Sequence, residues 1–416
     1  MSEPLAVREA PASYVLEAQR VRPGFKQTEV GVIPEDWEVQ QIGDLRPFVT
    51  SGSRGWAAFY SDRGVPFIRI TNLSRSTIYL DIEDLRFVSL PTNNSEGART
   101  QLQDADVLIS ITADIGIIGY VSAKVPKPAY INQHIALVRF NPSETNPKFV
   151  SYFLASEKPQ KLFRALTDSG AKAGMNLATV QQIRLAVPPT KAEQKAIAGA
   201  LSDADALIAS LEQLIAKKRQ LKQGAMQELL TGKKRLPGFS GEWEVKPLGE
   251  LVEIKKGELI TEGSAVTGAI PVIAGGKKPA YFHNVANRQG KTITISGSGA
   301  SAGYVAFFDT PIFASDCSTI GENTNYAVEF IYFALLLNQS GIYKAQTGGA
   351  QPHIHPNDLR PMPIAVPETK EEQTDIAAIL SDMDADIAAL EQQLAKARGI
   401  KQGMMQELLT GRIRLV

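Results

Sequence analysis

Two stretches of the chain place apolar residues at alternating intervals of four and three. The first holds Ile197, Leu201, Ala204, Ile208, Leu211 and Ile215; the second holds Ile376, Leu380, Met383, Ile387, Leu390 and Leu394. That spacing keeps one apolar stripe in line along a helix and predicts a coiled-coil seam. Each stretch opens on a capping box, Thr190-x-x-Glu193 and Thr369-x-x-Glu372. There the Thr side chain can accept from an exposed backbone N–H, and the Glu can reach back to the cap. Each closes on a glycine, Gly232 or Gly411, where a left-handed C-cap residue belongs. Between these signals the chain predicts two helices of roughly 60 Å each, at about 1.5 Å per residue.

The two helices are copies. Val187-Pro188 recurs as Val366-Pro367, 179 residues on, and the match continues without a gap; about two thirds of positions 187–236 are identical in the second copy. Trp37-Glu38-Val39 likewise recurs as Trp243-Glu244-Val245. The intervening segments align only at scattered points, with Gly119-Tyr120-Val121 offered against Gly303-Tyr304-Val305. The period is far longer than that of a solenoid. It reads as a duplicated two-part unit with a pseudo-twofold axis.

Charge sets the expected direction of the helices. Each is acidic in its first half (Asp203, Asp205, Glu212; Asp382, Asp384, Asp386) and basic in its second (Lys217, Lys218, Arg219, Lys222; Lys396, Arg398, Lys401). Antiparallel pairing sets acid beside base, each pair contributing a few tenths of a kcal/mol. Residues 187–236 carry net charge +4 and residues 366–416 carry −3, which favours pairing of the two helices with each other.

The segments between them alternate short β-type runs with turns. Val65–Ile70, Asp106–Ile111 and Ile135–Phe140 are examples in the first; Ile270–Ile273 and Lys291–Ile295 are examples in the second. Helical stretches follow at Pro147–Leu166 and Val328–Tyr343. The expected fold class is α+β: two globular domains with twisted mixed sheets, separated by two long helices that form an antiparallel coiled coil. Polar loops in these domains carry residues of the kinds that contact base edges. In the first domain these are Arg69, Thr71, Asn72, Thr112, Gln133, Lys172 and Asn176; in the second they are Lys277, Lys278, Tyr281, Ser298, Gln351 and His353.

Composition changes the picture in two ways. The 416 residues carry 44 basic and 44 acidic side chains. A neutral total argues against coating nucleic acid by bulk charge. Partition alters that reading, because residues 46–186 are net +5 while residues 1–45 and the second helix are acidic. A lone cysteine, Cys317, permits no intramolecular disulfide and no cysteine-based zinc site. With no long apolar run, and no basic-then-apolar leader in Met1–Arg20, a cytoplasmic chain without a membrane span is expected.

Catalytic signatures are missing. Gln289-Gly290-Lys291-Thr292 has Val285 where a P-loop needs its first glycine. Gly297-Ser298-Gly299 lacks a βαβ context, with Gly303 displaced. His353-Ile354-His355 is flanked by prolines and has no nearby carboxylate pattern, so a turn is expected rather than a metal pair. No Asn-Pro-Pro-Tyr or Asp-Pro-Pro-Tyr loop for a flipped base occurs.

From Phe25 onward the organisation resembles the specificity subunit of Type I restriction–modification enzymes. The resemblance rests on Glu29 to Trp37 before the first domain, on Ile183 to Pro189 with Glu193-Gln194 entering the first helix, and on Gln223 to Gly232 ending it; the last two recur in the second half. It implies an N-terminal extension (1–24), target recognition domains at 25–186 and 237–365, and spacer helices at 187–236 and 366–416. Each recognition domain would read one half of an asymmetric bipartite site in double-stranded DNA. The helices would set half-site spacing and dock two modification subunits. Those subunits would carry S-adenosylmethionine, with no cofactor, metal or catalytic residue in this chain, and there is room for motor and nuclease subunits besides. A fused methyltransferase or nuclease and a coiled-coil protein scaffold are the competing readings.

Overall fold

The computed structural model describes residues 21–415 apart from 53, 91–94, 169–173 and 349–350. It separates into two compact units, Met1–Ala209 with Ala395–Val416, and Ser210–Leu394.

In the first unit, a four-stranded antiparallel sheet runs in the order Phe48–Ser51, Ile135–Arg139, Val107–Ser110, Ile118–Tyr120. A second sheet is mixed, because Tyr130–Ile131 joins Val65–Ile68 in parallel. The Ile135–Arg139 strand is fully apolar through Val138 because both of its faces are covered. The strand Glu38–Gln41, which follows Trp37, pairs with Arg184–Val187 just before the first long helix.

The second unit repeats this plan in shorter form. Its four-stranded sheet is ordered Lys255–Lys256, Cys317–Ile320, Thr292–Ser296, Val305–Phe308. Phe313–Ala314 joins Ile270–Ile273 in parallel, and Glu244–Pro247 pairs with Pro363–Val366. The predicted helical stretches are each interrupted. Pro147–Leu154 is followed by Glu157–Asp168, and Val328–Leu337 by Gln339–Lys344. Pro159 is the reason in the first unit: it fits the first turn of a new helix but would break a continuous one.

The long helices are Lys191–Leu229 and Lys370–Leu408, and Gly232 and Gly411 take the left-handed conformation after them (φ 68° and 67°). Their seam residues are buried or half-buried; Ile197, Leu201, Ile376 and Leu380 are wholly so. Within the second unit, Lys218 pairs with Asp386 at 2.8 Å and Lys222 with Asp384 at 2.6 Å, so the partner number falls as the first rises. Within the first unit, Lys401 pairs with Asp205 at 2.5 Å, and Asp205 also accepts from the Tyr152 hydroxyl at 2.7 Å. Lys222–Asp384 and Lys401–Asp205 are the same pair with the repeats exchanged.

The Thr half of each capping box forms: the Glu193 and Glu372 N–H groups donate to Thr190 and Thr369 Oγ1 at 3.2 and 3.4 Å. The Glu carboxylates go elsewhere. Glu193, 1% exposed, accepts from Arg414 Nε and Nη2; Glu372, also 1% exposed, accepts from Arg235 Nε and Nη2 at 2.6 and 2.7 Å. Each arginine also lies about 6 Å over a repeat tryptophan, Arg414 over Trp37 and Arg235 over Trp243. The glutamines one residue on play matching parts. Gln194 accepts from Asn146 N and Gln373 from Ala327 N, each at 2.9 Å, tying each helix start to its domain.

Replacing Arg414 by Ala strands a buried carboxylate, and we expect it to cost about 3 kcal/mol, read as lost thermal stability by calorimetry. Arg414→Lys should recover only part, since an ammonium cannot reproduce the fork. Arg414 also binds Asp36 at 2.9 Å through two nitrogens, and that hydrogen bond holds the Asp36 carboxyl below its ordinary range. This contribution is complete above the ordinary aspartate value of about 3.9 and is lost as pH falls through the lowered native value. The Ala variant should therefore show a flatter acid limb in its stability profile.

Candidate nucleic-acid interface

In both units, one end of the main sheet is built by the same backbone bonds. In the first, Ser110 N donates to Ile117 O at 2.9 Å, Gly116 N to Ser110 O at 2.8 Å, and Ile111 N to His134 O at 2.9 Å. In the second, Ser296 N donates to Tyr304 O at 3.0 Å, Gly303 N to Ser296 O at 2.7 Å, and Gly297 N to Asp316 O at 3.0 Å. Asn132 N to Ile68 O and Ser315 N to Ile273 O complete the match. Gly116 and Gly303 share the positive φ that this turn needs (84° and 79°). The counterpart of Gly303 is therefore Gly116, and the sequence pairing of Gly303 with Gly119 is three residues out of register.

Glycines bring the loops together. Gly52 N donates to Ile135 O at 3.2 Å and Gly257 N to Cys317 O at 2.8 Å. A Cβ on either would fall well inside van der Waals contact with the backbone oxygen of Asn132 or Ser315. A Cβ on Gly174 would likewise fall well inside van der Waals contact with Ile111 O, and one on Gly275 would lie 2.7 Å from Ser298 O.

The frame gathers part of the predicted set. In the first unit, Thr112 Oγ1 lies 2.5 Å from His134 Nδ1, and Gln133 Nε2 lies 3.3 Å from His134 Nε2. Asn176 is exposed and caps the helix Leu177–Gln181, accepting from Thr179 N at 2.8 Å. Arg69 lies 3.6 Å from Asp84, and its Nε is buried without a hydrogen-bond partner. Thr71 is exposed beside it, whereas Asn72 is 1% exposed and its amide bonds Arg69 N and the carbonyls of Asp81 and Asp84. Asn72 thus orders its loop in this conformation. Lys172 lies outside the described residues.

In the second unit, three predicted loops meet. Gly299 N donates to Pro352 O, Ile354 N to Gly297 O, and Ser296 Oγ to Gly276 O. This brings Lys277, Ser298 and His353 onto adjoining loops, with Lys277 Nζ 5.5 Å over the Tyr304 ring. Lys278 and Gln351 are exposed, and the Tyr281 hydroxyl donates to Ile260 O at 2.5 Å. The His353 and His355 rings are stacked, with centroids 6.3 Å apart. Among the described residues, no group of His, Cys, Asp and Glu is placed to hold a metal ion, and no helix is long and apolar enough to cross a membrane. Burial pushes the Cys317 thiol up to about 12, away from nucleophilic use.

Asp316 was not among the predicted residues, yet Ser298 Oγ donates to its Oδ2. His134 lay in a predicted loop without being singled out. Sequence gives no local signal for either pair, because strand register alone brings positions 18 and 22 residues apart into contact.

The family model for the Type I restriction modification DNA specificity domain matches residues 34–221 and 240–397. The chain belongs to this family. It is 30% identical over 238 residues to a protein named as the MjaX specificity subunit of a type I restriction enzyme in Methanocaldococcus jannaschii, covering 54% of this chain and 55% of that one. It is 31% identical over 172 residues to a type I specificity subunit named in Mycoplasma pneumoniae, covering 40% and 46%. The chain thus spans about half the length of the curated relatives it matches. The crystal structure of a Type-I restriction-modification system S subunit from M. genitalium shares the fold, with a TM-score of 0.65 at 18% identity over 89% of this chain and 96% of that one.

If the glycine approaches fix the loops of this family member, Gly52→Ala and Gly257→Ala should each displace the loop opposite. Each should cost about 1–3 kcal/mol, the range for overpacking a closed site, measured by thermal or urea unfolding. Gly199→Ala, which has open space around it, is the matched control and should not destabilise.

Proposed function

We propose that the chain is the DNA sequence-reading subunit of a Type I restriction–modification complex. One observation carries this reading: a common backbone frame is built twice from different side chains, and each copy is joined to one copy of a closely repeated helix. Two readers of one design with different tips suit an asymmetric bipartite site in double-stranded DNA. In this reading, residues 25–186 and 237–365 are the recognition domains. Phosphate contacts would position them and loop side chains would specify sequence.

The helices at 187–236 and 366–416 pair as an antiparallel coiled coil and set the distance between half-sites. A rigid spacer of this kind makes the second contact effectively intramolecular when the spacing fits. Leu214 and Leu221, seven residues apart and exposed on the first helix, support docking of further chains there. Those chains would be two modification subunits that bind S-adenosylmethionine and perform methyl transfer, with motor and nuclease subunits joining for restriction. This chain would act in the cytoplasm without catalytic residues or a cofactor of its own.

Methylome sequencing of cells with and without the gene should show loss of one bipartite methylated motif. The purified chain with S-adenosylmethionine and DNA should transfer no methyl groups until modification subunits are added; transfer by the chain alone would refute the reading. Inserting a heptad into one long helix should change the gap within the methylated motif or abolish methylation, and an unchanged gap would count against the ruler role.

A further inference from the structure

The equivalent tips of the two domains differ in one chemically decisive way. Strand register equates Ser110 with Ser296 and Ile135 with Cys317. Counting from these, Thr112 corresponds to Ser298 and His134 to Asp316. In both domains a hydroxyl is bonded to a side chain across the same loop, Thr112 to the His134 imidazole and Ser298 to the Asp316 carboxylate. The first domain has one residue more at this point, Gln133, lying against the His134 ring. In the second domain the carboxylate lies over Gly297, where a Cβ would stand 2.8 Å from Asp316 Oδ1. Ser298 orients one oxygen, and the absence of a side chain at Gly297 makes room for the other. Asp316 is only partly buried.

We propose that Asp316 is a specificity-determining residue of the second domain and selects an amino base, cytosine or adenine, at one position of its half-site. An ionised carboxylate only accepts hydrogen bonds. In the major groove, cytosine N4 and adenine N6 donate, whereas guanine O6 and thymine O4 present lone pairs that a carboxylate repels. The braced side chain, held by Ser298, can discriminate where a free one would swing away. The imidazole and amide at the equivalent place in the first domain can donate, so the corresponding positions of the two half-sites are read by different rules. This inference rests on the DNA-reading function proposed above.

The test uses the full chain assembled with its modification subunits. Motif preference is read by methylome sequencing and by binding to duplexes varied at each position. Asp316→Asn keeps the shape but replaces an acceptor with a donor. It should reduce discrimination at one position of one half-site by about tenfold to a hundredfold, admit guanine or thymine there, and leave the other half-site unchanged. Ser298→Ala, which removes only the brace, should weaken preference at that same position. A wild-type motif from both variants would overturn the inference, as would loss of binding that is uniform across all bases with an unchanged melting profile. Absence of any bipartite motif from the wild-type complex would instead defeat the DNA-reading function itself.

Discussion

The arrangement of each unit depends on a carboxylate that would be intolerable alone. Glu193 and Glu372 sit in the first turn of their helices, where the helix dipole favours negative charge but by less than a buried ion requires. Each is satisfied by an arginine from the other repeat copy: Arg414 comes from beyond the second helix, and Arg235 from beyond the first. The start of one long helix is therefore clamped to the exit of the other in each unit. Because the fork and carboxylate are planar and mutually oriented, the clamp fixes register as well as proximity.

This shifts the weight among the charges along the helices. Lys218–Asp386 and Arg219–Glu391 are well exposed, and pairs of that kind contribute little. The Lys401–Asp205 pair is different: both partners are nearly buried, Tyr152 donates to the carboxylate, and burial raises the Tyr152 hydroxyl well above its ordinary range. In the second unit Phe333 lies below Lys222 and offers no such hydroxyl, and Asp384 stays half exposed. The acid-then-base pattern thus supplies these pairs with their partners, while most of the energetic weight lies with the few charges that cannot reach water.

What the sequence made legible was local. Helix ends follow from Thr caps and positive-φ glycines, and burial of Ile197, Leu201, Ile376 and Leu380 follows from the 4-3-4-3 spacing, so both long helices are found where expected. The Glu of each capping box illustrates the limit. Its position follows from spacing, but its partner lies 221 or 137 residues away and carries no local signature. The domains were harder for the same reason. Their frame is a set of strand registers between distant segments, and a three-residue identity, Gly119-Tyr120-Val121 against Gly303-Tyr304-Val305, pointed to the wrong alignment. Asn72 shows that composition alone leaves a choice open: a residue type suited to bonding adenine is equally suited to closing a loop on its own backbone.

The same physics explains how one frame can carry two different tips. The loops are held by backbone bonds and by glycines that admit close approach, as at Gly52 and Gly257, so their geometry does not depend on the side chains at the tips. A hydroxyl meets a polar partner at the tip in both units, but the partner is an imidazole in one and a carboxylate in the other. Such exchanges alter hydrogen-bonding capacity at partly exposed positions and leave the core untouched. The cores follow the opposite rule: Trp37 packs edge-on against Phe149, and Trp243 packs likewise against Phe330. Duplicated domains that diverge at their tips while retaining their clamps can change the chemistry they present without changing how they are held.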